Sequence, residues 1–374
     1  MIPYLPLAGE ESAIEGKPMR HLEKPGRASG LPLLAAASLL LLVVATTTAG
    51  EVEGLEFQHH DWLLVCDNTL TCRAAGYSED AARGSPVSVL LTRRAGAGAP
   101  VEARVMLGQY EEAAMPPALE LQIDDRQLGP VDFDRAQGTG KLSSGQLAAL
   151  LRALKRDSAI VFHGKSTDSP WLLSDRGATA VLLKMDEFQG RLDTPAALVR
   201  PGTRSEDAVP APVAAPIVRA VAPVAARPGD DRLADLPGLR PALVQSLQDP
   251  EGCPDLGDEE RSMPLEVMRL DAGKLLVSTR CWMGAYNEGI GYWVVREEAP
   301  YVPELVTTSA SGHEGGVIHA MQKGRGLGDC FWYGAWVWDG DRFVQTDDSS
   351  TGLCRLVAPG GAWPLSRLVR DVAR

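Results

Sequence analysis

No apolar stretch in the sequence reaches the roughly 20 residues that a helix needs to cross a bilayer. The longest, LPLLAAASLLLLVVA at residues 31–45, falls short of that length. Positive charge is in deficit, with 37 Lys and Arg against 49 Asp and Glu and a net charge of -12. Nucleic-acid binders draw affinity from neutralised phosphates, so nucleic acid is not an expected partner. Gly-x-Ser-x-Gly elbows and Ser-x-x-Lys motifs are absent, which removes two common routes to an activated serine. No cysteine pair has the CxxC spacing of a metal knuckle. No cysteine follows the apolar run either, so a lipoprotein anchor is not indicated.

What is present points to export. Arg20, Lys24 and Arg27 precede the apolar run, and small residues around Ala49-Gly50 follow it. That is the pattern of a secretory signal peptide occupying residues 1–49, with Met19 as an alternative start; the rival reading is an uncleaved membrane anchor. Contact with a membrane is expected only through this segment. Export makes the six cysteines legible, because an even number in an exported chain suggests disulfides. Cys66 and Cys72 close a strand-turn-strand unit through Asp67-Asn68-Thr69, and facing positions of an antiparallel pair lie within disulfide reach. Sequence proximity pairs Cys253 with Cys281 and Cys330 with Cys354. A metal site is the disfavoured alternative.

A chain of 374 residues with 45% hydrophobic content can build about two packed domains. Residues 51–200 read as an α+β domain. Its strands include Pro86–Thr92, Val101–Leu107 and the strictly alternating Leu119–Ile123. Two helices follow. Ser143 and Gln146 form a capping box ahead of Leu147, Leu150, Leu151 and Leu154, and a second apolar face runs through Val181, Leu182, Met185 and Phe188. Residues 201–231 hold no aromatic residue and many prolines, and read as a linker; a docked strand around Ile217 is the alternative. Residues 232–374 are mainly β, a sandwich or small barrel. They end in a stapled hairpin: a glycine-rich loop, an aromatic strand Phe331–Trp338, the Asp339-Gly340 turn and a return through Phe343. The fold class expected is therefore α+β passing to mainly β, with disulfide staples.

Several pieces resemble one bacterial family. They are Asp61-Trp62 with Cys66-Asp-Asn-Thr-Leu-Thr-Cys72-Arg-Ala-Ala-Gly-Tyr77, and Ser174-Asp-Arg-Gly-Ala-Thr-Ala180 leading to Met185-Asp-Glu-Phe-Gln-Gly-Arg191. In the second half they are Gly284-Ala-Tyr-Asn287, Lys323-Gly-Arg-Gly-Leu-Gly-Asp-Cys330 and Trp336-Val-Trp-Asp-Gly340. Together they are similar to the domain-of-unknown-function 1176 family of exported proteins from Gram-negative bacteria. The first half is also distantly similar to the invasion-associated locus B group. The resemblance implies export and architecture, a periplasmic or secreted location, and no activity.

The candidate sites are incomplete as catalytic sets. His313-Glu314-Gly-Gly-Val-Ile-His319 has its histidines too far apart for the zinc-protease helix, and two glycines between them. Gly138-Thr-Gly-Lys141 lacks both the leading glycine and the hydroxyl of a phosphate loop. Asp339, Asp341, Asp347 and Asp348 lack the calcium-loop frame. His59 and His60, as neighbours in a strand, should point apart. No metal and no cofactor are therefore expected. The backbone of the glycine loop, flanked by Lys323 and Arg325, is either a turn needing positive φ beside a disulfide or a candidate anion nest, and Asp329 is a further candidate binding residue. Trp332, Trp336 and Trp338 share one strand face and are either core or a platform for a sugar, a peptide or a partner. The reading that follows is a non-catalytic, envelope-associated binding or structural module with an envelope protein or polymer as partner. The alternative is a hydrolase of an envelope polymer using carboxylates such as Asp329 and Glu314. Intact-mass spectrometry of the exported protein should give a mature start near Gly50 and no alkylation without reductant. An intact N-terminus or alkylated cysteines would remove the export and disulfide reading.

Overall fold

The computed structural model describes residues 52–79, 85–108, 115–165 and 170–374. The predicted signal segment lies outside them. In the first half, seven antiparallel strands form one sheet in the order Leu55–His59, Trp62–Cys66, Cys72–Tyr77, Val87–Arg93, Val101–Leu107, Thr139–Lys141 and Asp132–Asp134. A four-stranded sheet in the order Trp171–Leu173, Ile160–Gly164, Leu119–Ile123 and Arg126–Pro130 packs against it with the two helices Ser144–Ala153 and Ala178–Phe188. The capping box forms as the sequence predicts: Ser143 Oγ accepts from Gln146 N at 3.3 Å, and Gln146 Oε1 accepts from Ser143 N at 2.9 Å.

The strand Trp62–Cys66 is buried at every position. Side chains alternate across a strand, so such a run needs a core on each face. Trp62, Leu64 and Cys66 join the helices and the second sheet. Leu63 and Val65, with Ala75, Tyr77 and Leu90, meet Val357, Ala362, Trp363 and Leu365 from the far end of the chain. Polar contacts stitch the same junction. Trp363 Nε1 donates to Ser88 Oγ at 2.8 Å, and Leu353 N donates to the Tyr77 hydroxyl at 3.2 Å. The Asn68 side chain pairs with the Val369 backbone in both directions, at 3.0 and 2.7 Å.

The second half is a sandwich and not a closed barrel. One sheet holds Glu266–Arg269, Lys274–Met283, Glu288–Arg296 and Glu304–Ala310. The other holds Gly312–Glu314, Val317–Lys323, Phe331–Trp338, Phe343–Ser350 and Leu365–Val369. Between them lies a core that includes Leu276, Tyr292, Val294, Ile318, Trp336 and Trp338. The helix Leu239–Ser246, which the strand-dominated reading of this half did not include, covers the other face of the first sheet through Leu239 and Leu243. Pro241 is tolerated because it sits in the first turn, where its missing N–H has no helical acceptor.

Three disulfides form with the expected pairing: Cys66–Cys72, Cys253–Cys281 and Cys330–Cys354. The proline-rich stretch follows the docked-strand alternative. Gly96 N donates to Pro210 O at 2.9 Å, and Ile217–Arg219 pairs in parallel with Asp371–Ala373. Val221 N then reaches Trp338 O at 2.9 Å.

Burial pushes the Tyr77 phenol far above its ordinary range, so it stays protonated while its oxygen accepts from Leu353. Replacing it by phenylalanine removes that acceptor and leaves the N–H unpaired. Tyr77→Phe should lower stability in urea unfolding by about 1–2 kcal/mol, with the far-ultraviolet spectrum unchanged.

Candidate functional site

The glycine loop crosses directly over a disulfide. A Cβ on Gly324 would lie 2.6 Å from Cys330 Sγ and 2.9 Å from Cys354 Sγ, so no side chain fits there. Gly328, at φ +66°, donates from its N–H to Arg325 O at 3.1 Å and turns the chain back. Arg325 then grips Asp329 with two bonds, Nε to Oδ1 at 2.7 Å and Nη2 to Oδ2 at 2.5 Å. Asp329 is buried and also accepts from Leu356 N at 2.8 Å. Burial alone would raise this carboxyl. The Arg325 guanidinium and the Leu356 N–H outweigh burial and hold it below the usual carboxylate range. Within the candidate nest, the Arg325 guanidinium is thus already engaged by a carboxylate of the same loop.

A second loop is tied to it. Gly284 N donates to Asn287 O at 2.8 Å, closing a turn between the strands Lys274–Met283 and Glu288–Arg296. The Asn287 side chain clamps the backbone of Lys323: Nδ2 donates to its carbonyl at 2.8 Å, and Oδ1 accepts from its N–H at 2.9 Å. Gly326 lies against the Tyr286 ring, where a Cβ would be 3.5 Å from Cδ1. The two loops, one from each sheet of the sandwich, make a single tip. Met283 (62% exposed), Tyr286 (47%) and Leu327 (63%) project from it, with Met321 (53%) on the adjoining strand.

The tryptophans are not part of this surface. Trp336 and Trp338 face the sandwich core, and half-buried Trp332 packs beside them with Nε1 donating to Asp348 Oδ1 at 2.9 Å. Of the two readings, core and platform, this face takes the core. Phe331 and Tyr333 occupy the other face, half-buried, with ring centroids 5.9 Å apart and planes 15° apart. Phe331 borders the tip at Gly328.

The remaining candidates separate. His313 stands opposite Ile318, a core residue, and so takes the inner face of its sheet. His319 stands one position on and takes the outer face, so the two do not converge. Glu314 and Asp329 sit beyond opposite ends of the strand Val317–Lys323. That span is about 20 Å at a strand's rise per residue, well outside the separation a carboxylate pair needs. Asp339 caps its own turn by accepting from Asp341 N and Arg342 N, each at 2.8 Å, while Asp348 bonds Trp332 and Arg367. Gly138, at φ +64°, turns the chain between two short strands. His59 and His60 depart from expectation. Their rings stand 4.4 Å apart because His60, at φ +49°, lies in a left-handed turn and not in the strand. Among the described residues Asp329, Cys330 and Cys354 bring ligand-type atoms within 4.8 Å, but the two sulfurs are bonded to each other.

Met283, Tyr286, Leu327 and the Asn287 clamp were not singled out from the sequence as binding residues. Tyr286 at the tip of a turn, where no core requires an aromatic ring, was the available signal.

Fold and tip together define a disulfide-stapled, mainly β protein. The model of the family described as a protein of unknown function, DUF1176, matches residues 56–370, and the chain belongs to that family. It is similar to the uncharacterized protein YpfG of Escherichia coli, 24% identical over 344 residues that cover 83% of this chain and 92% of that one. No solved structure matches it. Among the described residues no helix is long and apolar enough to cross a membrane.

The depressed Asp329 carboxyl contributes stability above the ordinary carboxylate range, and that contribution is lost as pH falls through its folded value. Arg325→Ala strands a buried carboxylate. It should cost about 1–3 kcal/mol at neutral pH, and the deficit should shrink as acid protonates Asp329. Urea unfolding of both proteins across the acid range checks this.

Proposed function

We propose that this is an exported, non-catalytic module that docks an envelope protein through the tip formed by the Gly284–Asn287 turn and the glycine loop. One observation carries the reading: Tyr286 and Leu327 stand exposed on two loops that the Asn287 clamp and the Cys330–Cys354 disulfide tie down, with Met283 exposed at the end of the strand that leads into the first of them. Large apolar side chains gathered on a surface call for a partner that covers them. Methionine and tyrosine are enriched at protein interfaces, where the thioether adapts and the ring supplies rigid area. A tip fixed in advance has little ordering entropy left to lose on binding.

A protein fits this surface better than a glycan. Sugar recognition uses open aromatic faces. Phe331 and Tyr333 turn a face toward each other, the tryptophans of that strand pack toward the core, and the one exposed ring of the tip, Tyr286, lies against Gly326. The three disulfides support a site of action in an oxidising compartment. The Gram-negative periplasm is the one the leader-like N-terminal sequence suggests.

A photo-crosslinking residue at Leu327 in the living cell should yield a discrete protein adduct. The same residue at Val302, exposed but remote in sequence from both loops, should not. Met283→Ser with Tyr286→Ser should abolish the Leu327 adduct while the circular dichroism stays native. Equal labelling from both positions would sink the docking tip. Adducts carrying glycan in place of polypeptide would transfer the reading to an envelope polymer.

A further inference from the structure

Away from the tip, the edge of the second-half sandwich brings a thioether to an imidazole. Met268 comes from the strand Glu266–Arg269 of one sheet, and His313 from Gly312–Glu314 of the other. His313 Nε2 lies 3.1 Å from Met268 Sδ. The Tyr292 ring packs on the imidazole at a centroid distance of 5.8 Å. Met268 is partly buried against the sandwich core, and His313 is half-buried. A thioether is a weak acceptor, so as a hydrogen bond this contact is a poor return for a desolvated imidazole. As a ligand pair it is well matched. Thioether sulfur is a soft donor that selects copper(I), and imidazole nitrogen suits the same ion.

The surroundings agree with that chemistry. Burial lowers the His313 imidazole below the ordinary histidine range, against the raising influence of Glu266 and with the help of His319. The Glu266 carboxylate supplies negative charge that lowers the cost of placing a cation there. Even zinc-like bonds of about 2.0 Å to nitrogen and 2.3 Å to sulfur span about 4.3 Å when laid straight, so the sulfur must swing outward by about 1 Å from its 3.1 Å contact to seat an ion. Met268 has rotatable bonds enough to widen that span toward the straighter geometry such ions favour. His319, on the outer face of its sheet, does not contribute.

We propose that Met268 and His313 form a binding site for a soft monovalent d10 cation of the copper(I) type. The site is independent of the docking tip and needs no electron transfer to fill.

Silver(I), the redox-inert member of the class, tests it in chloride-free buffer. The full chain carries His59→Ala and His60→Ala, so that the exposed ring pair cannot compete. Native mass spectrometry should show one retained silver ion, and the Met268 methyl resonance should move with the first equivalent. Met268→Leu and His313→Gln should each lose that ion while the disulfides and circular dichroism stay intact. His319→Ala should keep it. A Met268 methyl that does not move, or an ion retained in both ligand variants, would show a packing contact only and overturn the site.

Discussion

A sheet covered on both faces needs two cores, and the Trp62–Cys66 strand feeds both of them. Its even-numbered side chains close the first-half core with the helices; its odd-numbered ones close a smaller core against residues 357–365. Each fully buried large apolar side chain contributes about 1.5–3 kcal/mol, so the junction is held chiefly by apolar burial. Asp61, at the head of the strand, adds direction. Its carboxylate accepts from Ser174 Oγ at 2.7 Å and from Arg355 Nη2 at 2.9 Å. Arg355 follows Cys354 directly, so the disulfide beneath the glycine loop is one residue from the anchor that fastens it to the first-half sheet.

That chain of contacts ties the tip to the buried junction. Asp329 holds Arg325 on one side and the Leu356 N–H on the other. Leu356 lies just beyond Arg355, and Gly360 N closes back onto Gly328 O at 2.9 Å. The glycine loop is thus continuous, through bonded neighbours, with a fully buried strand. A loop supported only by its own turns would fray; this one is braced from below by a sulfur bridge and from the side by Asn287.

Much of the fold was legible because its causes are local. The Ser143-Gln146 box, the alternation of Leu119–Ile123 and the spacing of Cys66 and Cys72 each settle a structure within a few residues. The site was not legible for the opposite reason. Asn287 and Lys323 belong to different sheets, and nothing in their spacing says that they meet. The aromatic strand was ambiguous in principle. Both of its faces are apolar in sequence, and only the position of the facing sheet decides that Trp336 and Trp338 go inward while Phe331 and Tyr333 stay half open. His60 shows a smaller version of the same limit. The rule that strand neighbours diverge is sound, but the strand ends at His59 and the left-handed turn brings the rings together.

The pieces that carry the family resemblance divide by physical role. In Met185–Arg191, the Asp186 carboxylate receives Leu198 N at 2.7 Å and pairs with buried Arg93 at 3.5 Å, while Arg191 Nη2 donates to Gly96 O at 2.6 Å. These buried charges fix one loop against another and face no solvent. Asp61, Ser174 and Tyr77 serve the junction in the same way. Gly284–Asn287 and Lys323–Cys330 differ in kind. Their glycines, Asn287 and Asp329 are needed to build the tip, yet Tyr286 and Leu327 satisfy no bond and fill no core. A purely structural account explains the first group completely and leaves these two residues, with Met283, unexplained. Exposed apolar side chains on loops tied to a buried framework by Asn287 and the Cys330–Cys354 bridge are the observation on which the proposed docking tip rests.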